Sequence, residues 1–157
     1  MLASFLMGLV GGQRAMTPLA TVAVAAARGE VPADGIAAIL KRPAVVMGTL
    51  ALAAGELTGD KMKSAPDRIV PVGLTARFIT SAIAGAVVAP RRQRALGAAV
   101  GGLTAVVAAF PGWRARMAVL PRFGQTATGI VEDAAVLAGA AAIVRGVGVR
   151  RLGRAAA

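Results

Sequence analysis

Five apolar runs, at residues 3–27, 43–60, 73–89, 95–111 and 124–146, constrain this chain more than any other feature. Each approaches the ~20 residues that a helix needs to cross a bilayer. The connectors between them carry charge and proline: Arg28-Gly29-Glu30-Val31-Pro32, Lys61 to Pro71, Pro90-Arg91-Arg92-Gln93-Arg94, and Pro111-Gly112-Trp113-Arg114 to Pro121-Arg122. The pattern predicts an all-α polytopic transmembrane bundle, with 1–146 as the membrane domain and 147–157 as a basic C-terminal tail. Residues 33–42 are helical in character but too short to span, and read as an interfacial or re-entrant piece or as a lengthening of the second helix through a kink at Pro43.

Composition agrees with lipid as the solvent. Hydrophobic residues make up 57% of the chain and charged residues 16%, against roughly 25% in soluble domains. Aromatics are 3% and glycines number 20, so packing rests on small side chains that let helices approach closely. Such helices enclose little volume alone, which predicts a homo-oligomer.

The net charge of +11 comes from Lys and Arg clustered between the apolar runs. They read as topology signals and contacts with membrane lipids. With almost no aromatic side chains to stack on bases, nucleic acid is not an expected partner. The charge bias predicts a multi-pass inner-membrane protein with its N-terminus outside and its basic C-terminus inside. Histidine and cysteine are absent. That removes disulfides, Cys/His metal sites, and His-based nucleophile pairs, and no cofactor is expected.

Ionisable residues inside apolar runs are costly and are functional candidates by default. Arg14 and Arg77 are two such residues, each followed three positions later by a threonine, in Arg14-Ala-Met-Thr17 and Arg77-Phe-Ile-Thr80. The candidate partners are Glu56 with Asp60, four apart on one helix face beside Lys61, and the adjacent pair Glu132 and Asp133. The residues after each Arg-x-x-Thr are similar, which suggests a duplication with halves 8–66 and 70–146. One half would hold Arg14 with Glu56 and Asp60, the other Arg77 with Glu132 and Asp133. Gly11, Gly12 and Pro18 mark an expected break in the first helix.

Two readings of these charges follow. In one, buried ion pairs fix helix register in a non-transporting scaffold or accessory subunit. In the other, the same groups, with Thr17, Thr80 and Lys61, line a pathway for an ion or small polar solute in which arginines neutralise an anion and carboxylates relay protons or cations. The expected function is the second, a small transporter or channel. An intramembrane enzyme is disfavoured, because beyond the acids nothing marks a nucleophile or a metal set.

The combination of GGQRAMTPL, GELTGDKMKSAPDR and a later VEDA resembles a bacterial integral membrane family catalogued as domain of unknown function 4126. Its members are similar in having G-x-R-A near the N-terminus and E-L-x-x-D-K followed by a proline. The resemblance covers nearly the whole chain, and its most specific part is Glu56-Leu57-Thr58-Gly59-Asp60-Lys61 with Pro66. It implies a small polytopic membrane protein, draws attention to Arg14, Glu56, Asp60 and Lys61, and implies no activity.

Overall fold

The computed structural model describes residues 1–32, 34–59 and 69–155, with side chains through 149. Asp60, Lys61 and Pro66 lie outside the described residues, as does most of the expected connector from Lys61 to Pro71. All regular structure among the described residues is helical: α1 (Leu2–Gln13), α2 (Met16–Ala27), α3 (Ile36–Leu40), α4 (Pro43–Gly59), α5 (Pro71–Val88), a 3₁₀ turn (Arg91–Gln93), and α6 (Arg94–Ala155). Two stretches are long and apolar enough to cross a bilayer, Pro71–Val88 and Arg91–Val149, while α1, α2 and α4 are shorter apolar helices.

The first expected span is not one broken helix. It is a hairpin whose tip is Arg14-Ala15. Near the start of α1, Ser4 Oγ donates to the Gly85 carbonyl at 2.9 Å, and at its end the Gly12 carbonyl accepts from Arg77 Nε at 3.3 Å. Hence α1 runs antiparallel to α5. In α2 the order is opposite: the Ala15 carbonyl accepts from Thr80 Oγ1, while Ala25 and Ala26 join Val87 and Val88 in one buried cluster. So α2 returns alongside α5 to the end where α1 began, and Met1 and Pro32 line a common cavity with Ala89, Pro90 and Arg91. Twelve residues make ~18 Å of helix, about half the ~30 Å thickness of a bilayer's hydrocarbon core. The hairpin is formed by residues 2–27, whereas the described part of 33–42 holds α3, a single turn and a half before α4.

The last two expected spans are also joined differently. The segment 112–123, read as a connector from its prolines, is helical and continues through Pro111 and Pro121. Pro111 cannot donate to the carbonyl one turn earlier. Beside it, Gln13 of α1 donates to the Ala108 carbonyl at 3.4 Å, one position along from the Val107 carbonyl that the proline leaves without its helical donor. The reversal comes at Gly124, whose φ of 75° suits glycine. Its consequence is measurable: Arg116 and Glu132 are sixteen positions apart yet meet at 3.0 Å, where a straight helix would separate them by ~24 Å. Limbs 94–123 and 125–155 thus run in opposite directions, and the helix extends through most of what the sequence marked as a tail.

Helices α5 and α6 pack closely because glycines face each other. A methyl group at Gly85 would strike the Gly97 carbonyl, and one at Gly101 would strike the Ser81 carbonyl. Such close approach of backbones supplies dispersion contacts between the helices. The main core gathers Met7, Val22, Val31, Ala84, Val87 and Val144 from α1, α2, the loop after α2, α5 and the returning limb. By contrast α4 buries only Thr49 and Ala53, and exposes Met47 and Leu52.

The outer end is held by ion pairs. Asp34 accepts from Arg94 at 2.6 Å and pairs with Arg91 at 2.9 Å. The hydrogen bond from Arg94 is the main reason that its carboxyl titrates below the usual aspartate range.

Candidate functional site: charges gathered at the tip of a helical hairpin

Breaking a helix at the centre of an apolar bundle frees backbone amides and carbonyls that have no water to meet. Here several of the freed groups have side-chain partners. The amides of Ala15 and Met16, at the start of α2, donate to Glu56 Oε1 and Oε2 at 2.7 and 2.8 Å. One carboxylate from α4 thereby caps α2 in place of a local Ser, Thr or Asp, at the helix end where negative charge is favoured. Pro18 falls in the first turn of α2, where its missing N–H costs nothing.

The other side of the break is complementary. Arg77 brings a guanidinium to the carboxyl end of α1, on the Gly12 carbonyl, and also donates from Nη1 to the Gly73 carbonyl at 3.2 Å. Thr80, one turn further along α5, donates to the Ala15 carbonyl at 2.6 Å. Thus the second Arg-x-x-Thr motif serves the break that the first contains.

Arg14 itself, at φ −138° and ψ 115°, turns its side chain toward α6. Its Nε and Nη2 lie 2.7 and 2.6 Å from Asp133 Oδ1, and Nη2 is 3.8 Å from Glu132 Oε2. The side chain is 1% exposed. Glu132, on the neighbouring position of the helix, also accepts from Arg116 Nη1 at 3.0 Å. The result is a chain of alternating charge, Asp133, Arg14, Glu132, Arg116, leading from the hairpin tip toward the Gly124 turn. Its outer members, with Gln13, Thr128 and Phe123, line a cavity of about 570 Å³ between the limbs of α6.

This arrangement corrects the expected pairing. Arg14 reaches Glu132 and Asp133, which the duplication placed in the other half, while Glu56 holds the backbone beside Arg14 rather than its guanidinium. Arg77 meets backbone carbonyls. The break falls at Arg14-Ala15, so Gly11 and Gly12 remain inside α1, where they make room: a methyl at Gly11 would strike Ser81 and one at Gly12 would strike Ala108. Thr17 is buried beside α4 and the returning limb, and its hydroxyl has no hydrogen-bond partner among the described residues.

Arg116 was not singled out from the sequence, because it lies in a stretch that reads as an extramembrane connector. Gln13 was passed over as well, although a lone amide beside Arg14 in an apolar run was a usable signal. No protein-family model, no curated protein and no solved structure matches this chain.

Proposed function

We propose that this is a small integral membrane protein that passes an ion or small polar solute along the charge chain at the hairpin tip. The observation that carries the reading is the buried Arg14–Asp133 pair at the tip of a re-entrant hairpin, continued by Glu132 and Arg116 into a cavity. Backbone ends and charges held at mid-bilayer depth are the means by which transporters exchange an ion's hydration for protein ligands. A solute entering from the Gly124 side would compete for Arg116 and Glu132 before reaching the deeper pair.

In this reading α4, α5 and both limbs of α6 cross the membrane, with the hairpin entering from the side that carries Arg28, Arg91, Arg92 and Arg94. That side is cytoplasmic by its charge, and Met1 lies there too, rather than outside.

The test is flux in vesicles containing purified protein, with protons, potassium and chloride as probes. The reading expects protein-dependent flux of at least one probe, reduced at least ~10-fold by Glu132→Gln or Arg116→Gln in protein that elutes and unfolds like the parent. Absence of flux, or flux indifferent to both variants, overturns it.

A second reading has its own support. Arg14, Arg77, Arg116 and Glu56 all have partners within the chain, as expected of a scaffold whose charges only fix packing. The same assay separates the two.

A further inference from the structure

A groove of about 370 Å³ runs along α2, between α4 and the returning limb of α6, and none of the four charges of the chain at the hairpin tip lines it. Its walls are apolar, built from Val24, Leu50, Leu57, Leu137 and Val144. Arg28 and Arg145 stand at one end with Glu30, and Thr17 lies at the other. From Arg28 back to Thr17 is eleven helical steps, ~16 Å, about half of a ~30 Å hydrocarbon core. The groove is one leaflet deep.

Charge completes the match. Arg28 and Arg145 are exposed, and among the described residues neither has a carboxylate within ion-pairing distance. This contrasts with Arg91 and Arg94 at the same end of the molecule, which share Asp34. With Glu30 counted, the rim keeps a net positive charge. An occupant must therefore offer an anionic head at the membrane surface and an apolar chain reaching mid-bilayer. We propose that the groove holds one anionic phospholipid of the leaflet on the Arg28 side, its phosphate between Arg28 and Arg145 and an acyl chain along Val24, Leu50 and Val144.

The inference is independent of any flux through the charge chain, because it requires only that the chain sit in a bilayer. The buried Thr17 hydroxyl, one turn from Arg14, marks where the chain of the lipid ends and a polar layer begins.

The experiment is native mass spectrometry of the full chain released from micelles containing phosphatidylglycerol or phosphatidylcholine with identical acyl chains. One phosphatidylglycerol retained per chain, in preference to phosphatidylcholine, is the expected result. Arg28→Gln combined with Arg145→Gln should weaken retention about 30-fold, at roughly one membrane-surface charge contact per arginine, while Arg122→Gln, at the far end, should not. Ala53→Trp should fill the groove and displace the lipid without changing charge. Equal retention of both lipids, or retention unchanged in the double variant and in Ala53→Trp, overturns the proposal. So does glycerol phosphate competing as well as the intact lipid, which would make the site one for a free anion.

Discussion

The two Arg-x-x-Thr segments are nearly alike in sequence and unlike in structure. After Arg14 the chain leaves the helix and reverses, whereas α5 runs uninterrupted through Arg77 and Thr80. The difference lies in what surrounds each backbone. At Arg14-Ala15 a carboxylate from α4 takes two freed amides, and Arg77 and Thr80 take carbonyls on either side of the break. At Arg77 the helix of α5 continues, and among the described residues its guanidinium donates to carbonyls of α1 and of its own preceding turn. A motif in an apolar run thus does not decide between helix and break; the groups brought to it by the rest of the chain do.

The strongest way to break this comparison is to remove the counter-charge of Arg14. Asp133→Leu should destabilise the protein by about 3–5 kcal/mol, the cost of leaving a buried charge without its partner. Arg14→Leu combined with Asp133→Leu should recover most of that loss in the same denaturation assay. A double variant no better than the single one would mean that the pair does more than neutralise charge.

Glu56→Ala comes next. Two buried amides lose their acceptor, at about 1–3 kcal/mol each in the unmade-bond limit, and amide exchange at Ala15 and Met16 should speed up while α5 stays protected. Smaller again is Thr80→Val, which removes the donor to the Ala15 carbonyl at about 0.6–1.7 kcal/mol, the range of side-chain hydrogen bonds in membrane bundles. Thr17→Val, its counterpart in the other motif, should cost less or even stabilise, because its hydroxyl has no partner to lose.

The smallest effect belongs to the outer end. Asp34 has a folded-state pKa below its unfolded value, so its ion pairs contribute stability above the ordinary aspartate range of about 4 and lose it as pH falls through the lowered value. Asp34→Asn should flatten that acid limb of an unfolding profile and leave the range from pH 5 to 8 unchanged in shape.

The helical class, α4 and α5 were legible to within a few residues, because each is a single apolar run ended by charge or proline. Arg14, Glu56, Arg77, Thr80, Glu132 and Asp133 were legible as costly charges and hydroxyls in such runs, and the structure brings all six to one hairpin tip. Their pairing was not legible, since it depends on two reversals that local pattern hides. One is at Arg14-Ala15, where no turn residue stands at the break itself and the glycines that suggested it pack inside α1. The other is at Gly124, where two prolines nearby drew attention to 112–123 while a single glycine made the turn. Arg116 was missed for the same reason: without the reversal it belongs to a connector, and with it to the charge chain.

The central claim is that residues 2–27 enter and leave from one side. Single cysteines at Leu2→Cys, Arg28→Cys and Arg122→Cys, placed in this otherwise cysteine-free chain and challenged with an impermeant maleimide in oriented vesicles, test it directly. The account predicts that positions 2 and 28 label from the same side and position 122 from the other. Labelling of 2 and 28 from opposite sides would make the first segment a spanning helix and contradict it.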